Sequence, residues 1–305
     1  MTDLKFKTEM EFAYQTPREL APGVTRIVAN NPSVFTYKGT NTYIIGGGGD
    51  IAVIDPGPED EAHFDAVMAT VGKRQVSHIV ITHTHRDHID GVPRLADATG
   101  AKICAFGRTA RNPNTLTDSP SGAEFFDQNF TPDITVKDGD RLAGSDWTLK
   151  ALFTPGHAPD HLSFELVDQK ILFSGDHVMG WNTSVVAPPE GNMADYLASL
   201  ERLLDRNDAV YFPGHGGQIP EPQRFAKAYL LHRRVREQSI LKALKQNNTT
   251  IAEIVTVVYK DLDPRLVRAA SMSVQAHAEH LAERGIVELE QPVTFDSQIA
   301  LRANA

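Results

Sequence analysis

Residues 82–88 read Thr82-His83-Thr84-His85-Arg86-Asp87-His88, placing three histidines and an aspartate within a few positions. The apolar run before them, Val76-Ser77-His78-Ile79-Val80-Ile81, reads as a buried strand. Such a strand sets His83, His85, Asp87 and His88 on a turn at its C-terminal end. Imidazole and carboxylate are the ligands zinc prefers where thiolates are lacking. So many candidate ligands crowd a single tetrahedral ion. The motif therefore points to two ions sharing one loop, and to hydrolysis by a metal-activated water.

The same pattern of an apolar strand running into a turn recurs along the chain. Thr154-Pro155-Gly156-His157 follows a strand ending at Phe153, Ser174-Gly175-Asp176-His177 one ending at Phe173, and Pro213-Gly214-His215-Gly216 one ending at Phe212. Asp55 follows Val53-Ile54 and precedes Pro56-Gly57 in another such turn. Strand-end loops on a rigid sheet are where catalytic side chains gather, and glycine lets the backbone turn tightly enough for them to meet. His161 reads equally as a residue supporting the site or as a packing residue, His177 as one lining the pocket, and His63 and His78 as structural.

Between the turns, strand-like segments fall at Val24-Ala29, Thr42-Ile45, Ile51-Ile54, Lys102-Ala105, Leu149-Phe153, Leu162-Val167, Lys170-Phe173 and Val210-Phe212. Helical patterns at about Glu59-Val71, Gly91-Thr99 and Met193-Leu204 alternate with them. Gly46 to Asp50 reads as a hairpin turn, since neither a helix nor a Gly-Lys-Ser/Thr follows. This order suits two packed sheets covered by helices. The polar stretch Arg111 to Gly122 reads as a mobile loop.

From Gln223 the pattern becomes almost continuously helical. Phe225 to Lys245 is one long helix, Thr250-Ile251-Ala252-Glu253 opens a second with a capping box, and Asp263-Pro264 opens a third running to about Arg284. Gly285 ends it and Ile286 to Leu289 is strand-like, the order of a small winged-helix unit. The division falls near Pro220 to Pro222, giving domains 1–221 and 222–305.

The chain has 305 residues, 41% hydrophobic and 23% charged, values of an ordinary globular protein. The amino terminus lacks an apolar signal core and no run approaches membrane-spanning length. A single cysteine, Cys104, excludes an internal disulfide and fits an inert strand position in a cytoplasmic protein. The net charge is −9, but residues 222–291 hold eleven Lys/Arg against eight Asp/Glu, leaving the remainder at −12. That balance speaks against a dedicated nucleic-acid binder.

Asp55, His83-Thr84-His85-Arg86-Asp87-His88, His157, Asp176 and His215, in that order, resemble the motif set of the metallo-β-lactamase superfamily from about residue 20 to 220. The resemblance implies an α/β fold, an αββα sandwich with metals at one edge, followed here by the winged-helix-like domain. It implies that His83, His85 and His157 bind one zinc, that Asp87, His88 and His215 bind a second, and that Asp176 bridges them. Asp55 then supports a ligand histidine from behind, and Asp87 also orients the attacking water and takes its proton, so both acids count as catalytic. Histidine at position 85, where the family's iron-dependent redox branch has glutamate, favours hydrolytic zinc; iron or manganese remains an alternative.

Gly39-Thr40-Asn41-Thr42-Tyr43, the segment Tyr229 to Gln238 and the final winged-helix pattern resemble the beta-lactamase-like protein 2 branch. Its animal member is an endoribonuclease on single-stranded RNA, while bacterial relatives are treated as generic hydrolases. A small ester, thioester, lactone or lactam is therefore the favoured substrate, with RNA the alternative. For RNA, Arg224, Lys227, Arg233, Arg234 and Arg236 offer a basic stripe. A third reading makes the C-terminal unit a DNA reader through Arg265, Arg268, Gln275 and Arg284. The apolar residues of that helix, Ala269, Ala270, Met272, Val274, Leu281 and Ala282, instead imply packing, so the unit is expected to dock on the sandwich and wall the cleft. No membrane partner is expected, and a homo-oligomer is left open.

Overall fold

The computed structural model describes residues 6–107, 126–127 and 129–302; the stretch Arg111 to Gly122 lies outside them. Among the described residues, the first sheet takes its strands in chain order: β1 (Arg18–Ala21), β2 (Val24–Val28), β3 (Asn41–Ile45), β4 (Asp50–Ile54), β5 (Gln75–Val80), β6 (Lys102–Ala105) and β7 (Ile134–Thr135). β1 to β4 are antiparallel, with the glycine hairpin between β3 and β4, and β4 to β7 are parallel. The parallel crossovers are helical, α1 (Glu61–Val71) before β5, then α2 (Arg86–Ile89) and α3 (Val92–Thr99) before β6. The second sheet holds β8 (Arg141–Ala143), β9 (Thr148–Phe153), β10 (Leu162–Leu166), β11 (Ile171–Gly175) and β12 (Val210–Pro213), in the order β12-β11-β10-β9-β8. α4 (Met193–Leu204) makes the crossover between the parallel pair β11 and β12.

The strand period of two sorts side chains between layers. In β3, Tyr43 and Ile45 enter the core between the sheets with Phe164, Phe173 and Phe212, while Ile44 points the other way, among Val67 and Val71 of α1 and Leu95 of α3. In β11, Phe173 faces the inter-sheet core and Leu172 packs with Tyr196 and Leu200 of α4. Both sheets are thus covered on both faces, which is why the strands read as apolar runs. The architecture is the αββα sandwich expected.

The C-terminal part comprises α5 (Pro222–Lys245), α6 (Ile251–Val258), a 3-10 turn at Pro264–Leu266, α7 (Val267–Glu283) and a hairpin of β13 (Val287–Leu289) with β14 (Ile299–Leu301). Thr250 and Glu253 form the capping box, Oγ1 accepting from Glu253 N–H at 3.2 Å and Oε2 from Thr250 N–H at 3.1 Å. The helix expected from Pro264 differs from the one observed. The Asp263 carboxylate takes Arg265 N–H at 2.9 Å and its guanidinium at 2.6 Å, which tightens that segment into a separate turn. α5 serves two cores. Phe225, Ala226, Tyr229 and Leu230 pack with α4, whereas Ile240, Ala243 and Leu244 join Ile254, Val274, Leu281 and Val287. Among the described residues no helix is long and apolar enough to cross a membrane.

Candidate metal centre

The strand-end turns gather at one edge of the sandwich. β4 ends in Asp55, whose φ of 49° is a left-handed conformation that aspartate tolerates better than most residues. Held there, its carboxylate accepts Thr82 N–H at 2.8 Å, Thr82 Oγ1–H at 2.7 Å and His88 Nδ1–H at 2.9 Å. β5 runs into His83; His85 precedes α2, which carries Asp87 and His88. His157 follows β9, Asp176 follows β11 and His215 follows β12. At Gly214 any Cβ would stand 2.3 Å from Asp176 Oδ1 and 2.8 Å from His88 Cε1, so only glycine lets this turn approach the acid.

The hydrogen bonds fix which nitrogen of each ring faces inward. Thr82 gives its hydroxyl proton to Asp55, so at 3.0 Å it can only accept from His83 Nδ1–H. His157 Nδ1 must donate to the Val185 carbonyl at 2.6 Å, His88 Nδ1 to Asp55, and His215 Nδ1 to the Gly39 carbonyl at 3.3 Å. In their neutral forms these rings turn Nε2 lone pairs toward a common centre. His85 Nδ1 lies 2.9 Å from His83 Nε2 and 3.1 Å from His157 Nε2, and one proton there satisfies only one of them.

The inward atoms form sets in which every ligand atom lies within 4.8 Å of the others: His83 with His85 and His157, Asp87 with His88 and His215, and His83 with His88 and Asp176. Asp176 Oδ2 stands 3.2 Å from His215 Nε2 and 3.8 Å from His157 Nε2, so one carboxylate faces both histidine sets. The buried atoms His88 Nε2 and Asp176 Oδ1 meet no hydrogen-bond partner among the described residues. Converging lone pairs, orphaned buried acceptors and an imidazole–carboxylate donor set without thiolate fit divalent ions of the zinc kind.

Charge agrees with this reading. Burial holds His83 and His157 below the ordinary imidazole value, and His85 down to about 3, with neighbouring rings adding to the effect at His83 and His85. Burial also works against charge on His215, but Asp176 and Asp87 outweigh it and push its pKa up to about 9. His88 is raised in the same way, against burial, by Asp87, Asp55 and Asp176. Without an ion, protons on these two rings balance the carboxylates; a divalent cation would displace them.

All the site residues read from the sequence, Asp55, His83, His85, Asp87, His88, His157, Asp176 and His215, come together here. Several partners were not legible. Thr40 donates to Asp87 Oδ2 at 2.8 Å. Asp160 accepts from Thr84 N–H at 3.1 Å and Thr84 Oγ1 at 2.7 Å, tying down the residue between His83 and His85, and burial pushes its own pKa up to about 6. His161 Nε2 accepts the backbone N–H of Asp176 at 3.1 Å. Asn41 Nδ2 donates to the Pro213 and Gly216 carbonyls at 2.8 and 2.9 Å, anchoring the His215 turn. The run from Gly39 to Tyr43 was the available signal, although it carried no site role.

Of the basic stripe expected on α5, Arg224, Lys227 and Arg234 are exposed, Arg236 is half-buried and Arg233 is buried. Arg233 is 3% exposed, lies 5.1 Å over the Tyr196 ring and donates to the Ser184 carbonyl. Ser184 Oγ in turn reaches the carbonyls of Asp176 and His177. Arg236 caps the Val258 carbonyl at 3.2 Å over Tyr259, and the exposed Arg224 and Arg234 face Glu221 and Glu201. Helical spacing placed these residues near one another but could not show that α4 and the loop after β11 cover one side.

A cleft of about 260 Å³ opens over the centre, lined by Phe35, Met179 and Val185 of the sandwich and by Arg268, Ala269 and Met272 of α7. The C-terminal unit walls the site, as its apolar helix residues implied.

Comparison with known proteins agrees with this geometry. The family profile of the metallo-beta-lactamase superfamily matches residues 36–215, and that of the beta-lactamase associated winged helix domain matches residues 250–292. A beta-lactamase-like protein 2 homolog from Caenorhabditis elegans is 34% identical over 91% of this chain and 90% of its own length. An atrochrysone carboxyl ACP thioesterase from Claviceps purpurea is 29% identical over 79% of this chain and 73% of its own. The structure of a beta-lactamase domain protein from Burkholderia ambifaria superposes with a TM-score of 0.79 at 20% identity, covering 96% of each chain. The chain belongs to the metallo-beta-lactamase superfamily, in the form that carries an associated C-terminal winged helix.

Proposed function

We propose that this protein is a dinuclear, zinc-dependent hydrolase of a small thioester or a related ester, lactone or lactam. The observation that carries the reading is the set of inward-facing Nε2 atoms, fixed from behind and interleaved with Asp87 and Asp176, on the floor of a largely apolar cleft. When bound, the ions would supply an acidified water and polarise the scissile carbonyl. In this assignment His83, His85 and His157 would hold one ion and Asp87, His88 and His215 the other, with Asp176 available to both. Asp55 locks the His88 ring by accepting its Nδ1–H. Asp87, exposed to the cleft and tethered by Thr40, orients the attacking water and takes its proton at the carboxylate. Iron or manganese could use the same donors, and metal analysis distinguishes them.

The thioester preference draws support from the relative named as a thioesterase. Against RNA stand the burial of Arg233 and the pairing of the exposed Arg224 and Arg234 with Glu221 and Glu201, since a strand-tracking groove needs free exposed cations. The lone, buried Cys104 suits a cytoplasmic setting. Zinc-loaded protein presented side by side with a thioester, a lactone and a single-stranded RNA tests the proposal. Turnover of an acyl substrate, lowered by at least about a hundredfold in Asp87→Asn, is expected. RNA cleavage as the sole metal-dependent activity would move the assignment to phosphodiester chemistry.

A further inference from the structure

We propose that the substrate of this centre carries an anionic group, a carboxylate or a phosphate, which Arg268 of α7 receives while the apolar part lies against Phe35, Met179 and Met272. The inference rests on the acyl-hydrolase reading above and names its substrate class.

Among the described residues two arginines line the cleft, and they are not equivalent. Arg265 is already neutralised by Asp263, its Nη2 2.6 Å and its Nε 3.1 Å from that carboxylate. The exposed guanidinium of Arg268, one helical turn further on, has no hydrogen bond or ion pair among the described residues, and the residue borders Ala269 and Met272 in an apolar wall. Glu190 also lines the cleft, so the space is not uniformly basic and an anion is favoured specifically at the α7 side. The chain outside residues 222–291 carries −12, so a guanidinium unpaired among the described residues stands out at the mouth of its active site.

The physical consequence is discrimination. Arg268 is exposed at the edge of the cleft, so a neutral acyl compound would leave its guanidinium in water and gain nothing from it. An anionic one would gain a charge-assisted, two-pronged contact that the planar guanidinium is shaped to make. The discrimination comes from this gained contact, not from a penalty on the neutral analogue. The C-terminal unit would then select the substrate, and the sandwich would hydrolyse it.

The test is a calorimetric titration of the metal-loaded, full-length protein with non-hydrolysable thioether analogues of one acyl thioester, ending in a carboxylate, a phosphate or a neutral amide. The anionic analogues should bind at least about tenfold more tightly than the amide. Comparing carboxylate with phosphate identifies the group. Arg268→Gln should collapse the preference, and Arg268→Glu should invert it. Arg224→Gln, on an exposed residue paired with Glu221, should preserve it. Equal affinity for charged and neutral analogues in the parent protein, or a preference that survives Arg268→Gln, overturns the proposal. Because binding is read without turnover, failure of the acyl-hydrolase reading shows separately, as absent hydrolysis of the matching thioesters.

Discussion

Two groups of histidines sit in this chain, and what stands behind their rings separates them. At the sandwich edge, His83, His88, His157 and His215 each present Nδ1 to an oxygen of Thr82, Asp55, Val185 or Gly39, and carboxylates lie among their inward faces. Between α5 and α7, His277 is 1% exposed with neither ring nitrogen partnered among the described residues, and its electrostatic neighbours are Arg233, Arg236, His280 and His232. No acid figures among those neighbours. Burial alone therefore does not make an imidazole a ligand. At His83, His88, His157 and His215 an acceptor behind the ring adds what His277 lacks.

The largest effect should come from removing the acid shared between the sets. Asp176→Ala is expected to lower metal content at both sets together and to cut kcat by about a thousandfold or more. His277→Leu should leave metal content unaltered. Elemental analysis beside turnover reads both, and an Asp176→Ala protein that kept both metals and its rate would break the comparison.

Removing the oxygen behind a ring should act more gently. Asp55→Asn leaves one acceptor oxygen for three donors, so His88 loses its fixed orientation, and metal affinity should fall by about 10–100-fold. A competition titration against a chelator measures this, and unchanged affinity would leave Asp55 a purely structural turn residue.

Acidity sharpens the contrast further. His215 of the metal-free protein holds a proton below about pH 9, and an incoming ion must expel it. Apparent metal affinity should accordingly climb with pH, about tenfold per unit for each proton displaced, and level off above that value. A flat profile between pH 6 and 8 would contradict the carboxylate-raised imidazole.

The smallest effect concerns the other group. His277 is held well below the ordinary value by burial and the flanking arginines, so the folded chain refuses a proton that the unfolded chain accepts near pH 6.5. Its contribution to stability is complete above that pH and is lost as pH falls through it. Urea midpoints at pH 7 and pH 5 should differ less in His277→Leu than in the parent protein, and equal slopes would remove His277 from the acid response.

Much of the centre was legible because each ligand closes an apolar strand, and period-two burial makes such strands visible as runs. Strands with few residues or polar faces were not: Arg18–Ala21 at a sheet edge, Ile134–Thr135 and Arg141–Ala143 bury too little to stand out. Partners acting through carbonyls, such as Val185 behind His157, leave no trace in residue type. Arg233 shows the limit of helix reading. Its spacing among other bases suggested a solvent face, but which face is solvent depends on α4 and the loop bearing Ser184, and these are distant in sequence.

The sharing of α5 between two cores has a mechanical corollary. Its 24 residues form a spar about 36 Å long, rooted beneath the sandwich at one end and inside the C-terminal core at the other. Inserting one residue midway would turn everything beyond it by about 100° and carry Arg268 out of the cleft, with every hydrolytic side chain untouched. The bore of the active site is thereby gauged by the pitch of a helix that contributes nothing to its floor.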